Sequence, residues 1–178
     1  MEEAYDPELI PKSTLEYASH GVEITKIALF NMAGERVNHL LRGTVYRYSY
    51  HVFFRNPAVN VRFGMMLKTL SGIELGGMVS ALKSRNTLVY VDKGSHYQVD
   101  FHFQCNLSTG VYFLNAGVTG DVDGTDSYLH RVLDAAMFRV VSDVNSRVTG
   151  LIDFKCSCHA ENISDDIGRS PKRDDNSV

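Results

Sequence analysis

Apolar and polar side chains alternate one for one along much of this chain. The cleanest run is 96–105, where Tyr97, Val99, Phe101, Phe103 and Cys105 alternate with His96, Gln98, Asp100, His102 and Gln104. Successive side chains of a β-strand leave opposite faces, so the pattern predicts a strand with one face buried and one wet. Comparable period-two runs occupy 22–31, 44–54, 59–69 and 111–119, joined by short turns such as Met32-Ala33-Gly34-Glu35 and Leu70-Ser71-Gly72. Glycine punctuates the series at the spacing expected of turns. Many short strands of this kind predict an all-β fold, a sandwich or a barrel.

One segment follows a different period. Leu129, Val132, Leu133, Ala136, Met137 and Val140 fall at the three- and four-residue steps of a helix. The alternative is a short turn through 129–134 followed by a strand with Ala136, Phe138 and Val140 inward, and the β-rich surroundings favour it.

The length, 178 residues, suits one domain with its own core. Residues 1–19, acidic with Pro7 and Pro11, read as a linker; 20–159 form the domain; 160–178, polar with isolated isoleucines, read as a disordered tail. No run of eighteen uncharged apolar residues predicts a membrane span, and the acidic start lacks the basic and apolar parts of a secretory signal. Cys105, Cys156 and Cys158 are an odd set rather than a disulfide framework, which points to a reducing cytoplasm. The net charge of −3 divides into −4 on residues 1–20, +3 on 21–160 and −2 on 161–178. A middle so mildly basic argues against nucleic acid as partner.

Candidate chemistry is sparse. Asp121, Asp123 and Asp126 gather carboxylates that could hold calcium, but without the spacing of an EF-hand, so a solvated hairpin loop is the better reading. Cys156-Ser157-Cys158-His159 offers three soft ligands too closely spaced for a zinc site, and a strand with both cysteines on one face is favoured. No nucleophile elbow, His-Glu-x-x-His or phosphate-binding loop occurs, so neither a hydrolase nor a P-loop ATPase is written here. His96 and His102 read as the wet face of their strand. Tyr46, Tyr48 and Tyr50 could stack on sugar rings, yet their stripe continues through Val52 and Phe54 opposite Arg47, Ser49 and His51, which makes core the better reading. No cofactor and no metal is expected.

Four stretches in order resemble one family. They are His20-Gly21-Val22-Glu23-Ile24 with a turn at Ala33-Gly34; Phe63-Gly64-Met65-Met66-Leu67 with Gly72-Ile73-Glu74-Leu75-Gly76; Leu107-Ser108-Thr109-Gly110-Val111-Tyr112; and Asp134-Ala135-Ala136-Met137-Phe138-Arg139-Val140. Together, over about residues 20–155, they resemble the C-terminal carbohydrate-binding domain of the Wzt-type ATPase subunit in ABC transporters that export O-antigen polysaccharide. The chain departs from that family in having no tryptophan and in its Cys156-Ser157-Cys158-His159 ending.

The resemblance implies an immunoglobulin-like antiparallel β-sandwich of two sheets, following an ATPase domain absent from this chain, with residues 1–19 as the remnant of the connection. It implies a non-catalytic domain at the cytoplasmic face of the bacterial inner membrane. The domain would recognise the capped non-reducing end of a lipid-linked glycan and license its export, with the transporter ATPase and membrane subunits as partners. It also implies a homodimer, and residues 148–157 read as a late strand suited to exchange between copies. A glycan-processing enzyme, and a structural or adhesion sandwich with weak calcium binding, stand as alternatives.

Strand parity places the candidate site. With Tyr112, Leu114, Ala116 and Val118 inward, Phe113, Asn115, Gly117 and Thr119 point outward; with Phe63, Met65 and Leu67 inward, Arg62, Gly64, Met66 and Lys68 point outward, as does Arg139 beside Phe138. In one sheet these strands would present Arg62, Met66, Lys68, Phe113, Asn115, Thr119 and Arg139 around a groove at Gly64 and Gly117. Such a face carries an aromatic ring, hydrogen-bonding groups and Arg forks for a phosphate or carboxylate cap. An ordinary solvated sheet face with scattered cations is the competing reading.

Overall fold

The computed structural model describes residues 2–82, 85–141 and 146–162. Ten strands arise in chain order: β1 (Leu15–Glu16), β2 (Val22–Phe30), β3 (His39–Leu40), β4 (Val45–Phe54), β5 (Ala58–Thr69), β6 (Glu74–Val79), β7 (Leu88–Val91), β8 (His96–Gln104), β9 (Gly110–Val122) and β10 (Thr125–Val140). The larger sheet runs β1-β10-β9-β5-β6, with β3 also beside β10 and β7 beside β5; the smaller runs β2-β4-β8. Pairing is antiparallel except for β3 on β10. The two-sheet β-sandwich that the resemblance implies, one of the two all-β forms that the alternation allows, is therefore present. No helix among the described residues is long and apolar enough to cross a membrane.

The inward faces of the two sheets make one core. Tyr46, Tyr48, Tyr50, Val52 and Phe54 of β4 are fully buried and pack towards Leu114, Ala116 and Val118 of β9 and Phe138 of β10. Tyr112 stacks on Phe138 with centroids 5.6 Å apart, and Tyr50 on Phe101 at 6.2 Å. Removing each large apolar side chain from water contributes about 1.5–3 kcal/mol, so this stripe is where the sandwich gets its cohesion. His96 and His102 are exposed on the far side of the smaller sheet. Burial pushes the Cys105 thiol up to about 11, as befits a small core residue.

β9 and β10 form one long hairpin. Its two-residue turn, Asp123 (φ 51°) and Gly124 (φ 78°), takes left-handed backbone at both positions, as a type I′ turn requires. The three aspartates serve this hairpin: Asp121 accepts from the Asn60 amide at 2.6 Å, and Asp126 pairs with Arg62.

The segment with helical spacing is neither a helix nor a turn followed by a strand. β10 runs unbroken from Thr125 to Val140, with register shifts between Tyr128 and His130 and between Val132 and Ala136. At a bulge an extra residue opposes one partner, so the inward set steps by an odd number. Leu129, His130 and Val132, then Phe138 and Val140, are all buried. Asp134, at φ 48°, carries the second bulge; aspartate tolerates the left-handed region better than most residues.

Both ends also differ from the simple alternation. The described residues of 1–19 are tied to the sandwich: Ala4 bridges His39 of β3, the Tyr46 hydroxyl of β4 donates to Glu3 at 2.6 Å, and β1 pairs along the outer edge of β10, Leu15 with Leu133 and Glu16 with Val132. Residues 148–157 do not form the expected strand. Their one ladder contact is the isolated bridge between Ile152 and Leu107, and Leu151, Phe154, Cys156 and Cys158 lie exposed. The expected tail falls mostly on 163–178, outside the described residues.

Candidate functional site

A groove of about 320 Å³ crosses the outer face of the larger sheet. Its floor is the register pair Gly64 on β5 and Gly117 on β9. A Cβ built on Gly117 would lie 3.2 Å from Tyr128 Cε1, and one on Gly64 would lie 3.6 Å from Val79 Cγ1. The bare backbone therefore leaves room that side chains would fill. From the inner side, the Tyr50 hydroxyl reaches the carbonyls of Gly64 at 3.0 Å and Gly117 at 3.2 Å, fixing the floor to the core. Burial raises the Tyr50 phenol above its ordinary pKa and keeps it a donor there.

β10 supplies the wall. Tyr128 lies opposite Thr119 and Arg131 opposite Gly117, and the Arg131 guanidinium sits 4.7 Å from the Tyr128 ring centroid. Tyr128 is 48% exposed, so its ring presents a face to solvent beside the groove. On the other side, Met66, Glu74 and Val79 close the lining. Asn115 accepts a hydrogen bond from the Asp134 backbone N–H at 2.9 Å through its Oδ1. That bond uses the amide oxygen; the Asn115 NH₂, which can only donate, remains to meet an acceptor.

Parity brings most of the expected site residues together. Arg62 opposes Thr119, Met66 opposes Asn115 and Lys68 opposes Phe113, all on the outer face. The structure separates others from the groove. Arg62 is paired with Asp126. Lys68 lies 2.5 Å from Asp134 Oδ1 and 5.7 Å from the centroid of Phe113, itself only 6% exposed, so neither of these two is a free contact surface. Arg139 is exposed but pairs with Val111 and His39, four residues along β9 from Asn115, the nearest groove residue on that strand, and about 14 Å away at the rise of a strand. It does not join the cluster.

Tyr128, Arg131 and Glu74 were not among the candidates. Tyr128 and Arg131 are three residues apart, which in a regular strand puts them on opposite faces; the bulge at Leu129 returns them to one face. The signal was the helical spacing itself, since a three-residue step inside a β-rich chain marks a bulge. Glu74 begins an edge strand whose glycines, Gly76 and Gly77, hide its alternation.

Among the described residues no cluster of three or more His, Cys, Asp or Glu side chains could hold a metal ion. Among the described residues Glu74 is the one carboxylate lining the groove. The fold and groove define a β-sandwich module with a polar and aromatic cleft on a sheet face. The chain belongs to the Wzt C-terminal domain family, whose profile matches residues 13–154, and so to the non-catalytic C-terminal domains of Wzt-type ABC transporters. A crystal structure of the C-terminal domain of Wzt has the same fold, with a TM-score of 0.72 at 23% identity, covering 90% of this chain and 93% of that one. No curated protein sequence matches the chain significantly.

Proposed function

We propose that this domain binds the non-reducing end of an O-antigen-type polysaccharide in the groove between Tyr128, Arg131 and the Gly64–Gly117 floor, and so licenses its export by an ABC transporter at the cytoplasmic face of the inner membrane. The observation that carries this reading is the pairing of an exposed tyrosine face with a guanidinium over a floor without side chains. Sugar rings stack their C–H faces on aromatic surfaces, and an Arg fork takes a phosphate or carboxylate in two parallel hydrogen bonds. The Asn115 amide and the Thr119 hydroxyl add hydrogen bonds to ring oxygens, and Met66 an adaptable apolar contact. Arg62, paired with Asp126, and Lys68, paired with Asp134 beside Phe113, stand behind them. On this reading residues 1–19 lead from an ATPase domain, and the working form is a homodimer within the transporter.

Affinity should be modest, because desolvating sugar hydroxyls offsets most of what a shallow cleft gains. Calorimetry against oligosaccharides that differ only in a terminal phosphate or carboxylate tests the reading. Saturable binding of the capped form, lost in Arg131→Ala and without sugar release on long incubation, supports it. Equal binding of both forms, or full binding by Arg131→Ala, contradicts it.

A further inference from the structure

The wall of the groove is built on the same residues that hold the N-terminal strap. Residues 13–20 lie along the free edge of β10, and two independent links join them to the groove. The first is Asp134 in its bulge. Its Oδ2 accepts from the Ser13 hydroxyl at 2.5 Å, its carbonyl from the Thr14 hydroxyl at 2.8 Å, and its N–H donates to Asn115 Oδ1 on the groove floor. The second is Arg131. Its carbonyl accepts from the Tyr17 N–H at 2.9 Å, and its guanidinium lies 5.9 Å from the Tyr17 ring centroid as well as 4.7 Å from that of Tyr128.

The strap is held by polar contacts, which also include Glu16 Oε1 at 3.0 Å from His130 Nε2 and the His20 N–H donating to the Leu129 carbonyl at 2.8 Å. β1 contributes two ladder residues, and Leu15 and Tyr17 are 52% and 46% exposed, so little apolar burial opposes its release. Segments of this kind open locally at a small fraction of the global unfolding free energy. Asn115, by contrast, belongs to the central strand β9, and Arg131 and Asp134 to β10, which lies between β9 and the strap.

We propose that strap docking and groove occupation are coupled: residues 13–20 position the Arg131 guanidinium and the Asn115 amide for the ligand, and a ligand held by those two groups fastens the strap. The ligand half rests on the reading given under Proposed function. Asp134 is the positioning residue, since it touches strap and groove floor at once. Linkage makes the effect reciprocal, each event strengthening the other by one and the same factor, typically about 5–150-fold.

Amide hydrogen exchange on the ligand-free protein tests the coupling without any ligand. Asn115→Ala, and Asp134→Asn, which keeps a residue tolerant of the left-handed backbone, should each speed exchange in 14–20 by at least about fivefold while β4 and β8 keep wild-type protection. In the reverse direction, the Ser13→Ala/Thr14→Ala double variant should move the Met66 methyl resonance and weaken binding of a phosphate-capped oligosaccharide by at least about fivefold. Unchanged strap exchange in Asn115→Ala overturns the proposal, as does wild-type affinity in the strap variant. If the wild type binds no capped glycan, the functional reading fails, and the ligand-free exchange decides the coupling by itself.

Discussion

Two sets of tyrosines do opposite work in this domain. Tyr46, Tyr48 and Tyr50 stand on one face of β4 and are fully buried. Tyr128 lines the outer groove and Tyr17 lies in the strap beside it, each about half exposed, flanking one arginine. Both sets combine an apolar ring with a polar tip. What separates them is the neighbourhood that strand parity assigns: the first faces another sheet, the second faces glycine and water. Tyr50 joins the two regions, because its hydroxyl supports the groove floor from inside.

Truncation should separate them most strongly. Tyr50→Ala should lower unfolding free energy by about 3–5 kcal/mol in urea titrations, the usual cost of emptying a buried aromatic site. Tyr128→Ala should stay within about 0.5 kcal/mol of the wild type while abolishing glycan binding. A large stability loss in Tyr128→Ala would place that ring in the core and erase the distinction.

Filling the groove is the next test. In Gly117→Ala the new methyl meets the Tyr128 ring at 3.2 Å, close enough that the ring must yield. Glycan affinity should fall at least about tenfold, with a stability change under about 1 kcal/mol, since a strand interior accepts alanine readily. Undiminished affinity would move the binding surface elsewhere.

Removing single hydroxyls sharpens the comparison within the buried stripe. The Tyr48 hydroxyl is buried without a hydrogen-bond partner, whereas that of Tyr50 has two carbonyls within reach. Tyr48→Phe should therefore be neutral or stabilising by about 1 kcal/mol, and Tyr50→Phe destabilising by about 1 kcal/mol. Opposite signs from one strand, two residues apart, are measurable as shifts of the denaturation midpoint. Equal signs would contradict the assigned partners.

Alkaline pH gives a smaller and graded effect. Burial raises the Tyr46, Tyr48 and Tyr50 phenols above their ordinary pKa, and the Glu3 carboxylate adds to this at Tyr46. The unfolded chain releases these protons near pH 10 while the folded one retains them. Stability is thus fully present below about pH 10 and falls as pH rises beyond it. The urea midpoint should decline over that range, and less steeply in Tyr48→Phe.

The buried stripe was legible in the sequence because β8 and the body of β4 alternate one for one. Parity also placed Gly64, Met66, Asn115, Gly117 and Thr119 on one outer face. The rest depended on departures from the period. Two bulges in β10 imitated helical spacing and concealed Tyr128 and Arg131. The glycines of β6 erased the contrast that would have revealed Glu74. Which cations are neutralised is a tertiary matter: Arg62 meets Asp126 and Lys68 meets Asp134 across 64 and 66 residues of chain. Arg139 has the right parity but the wrong position along its strand, a distance that alternation does not encode. The expected exchange strand at 148–157 has only the bridge at Ile152.

On the proposed reading the glycan meets the glycine-floored groove and no other face. Backbone amide chemical-shift mapping during titration with a phosphate-capped oligosaccharide tests it directly. Shifts should be confined to β5, β9 and β10 around Gly64, Asn115, Gly117 and Arg131, with the strap at Tyr17 following at the same ligand concentrations. Shifts centred on the outer face of β4 and β8, or on residues 146–158, would contradict it.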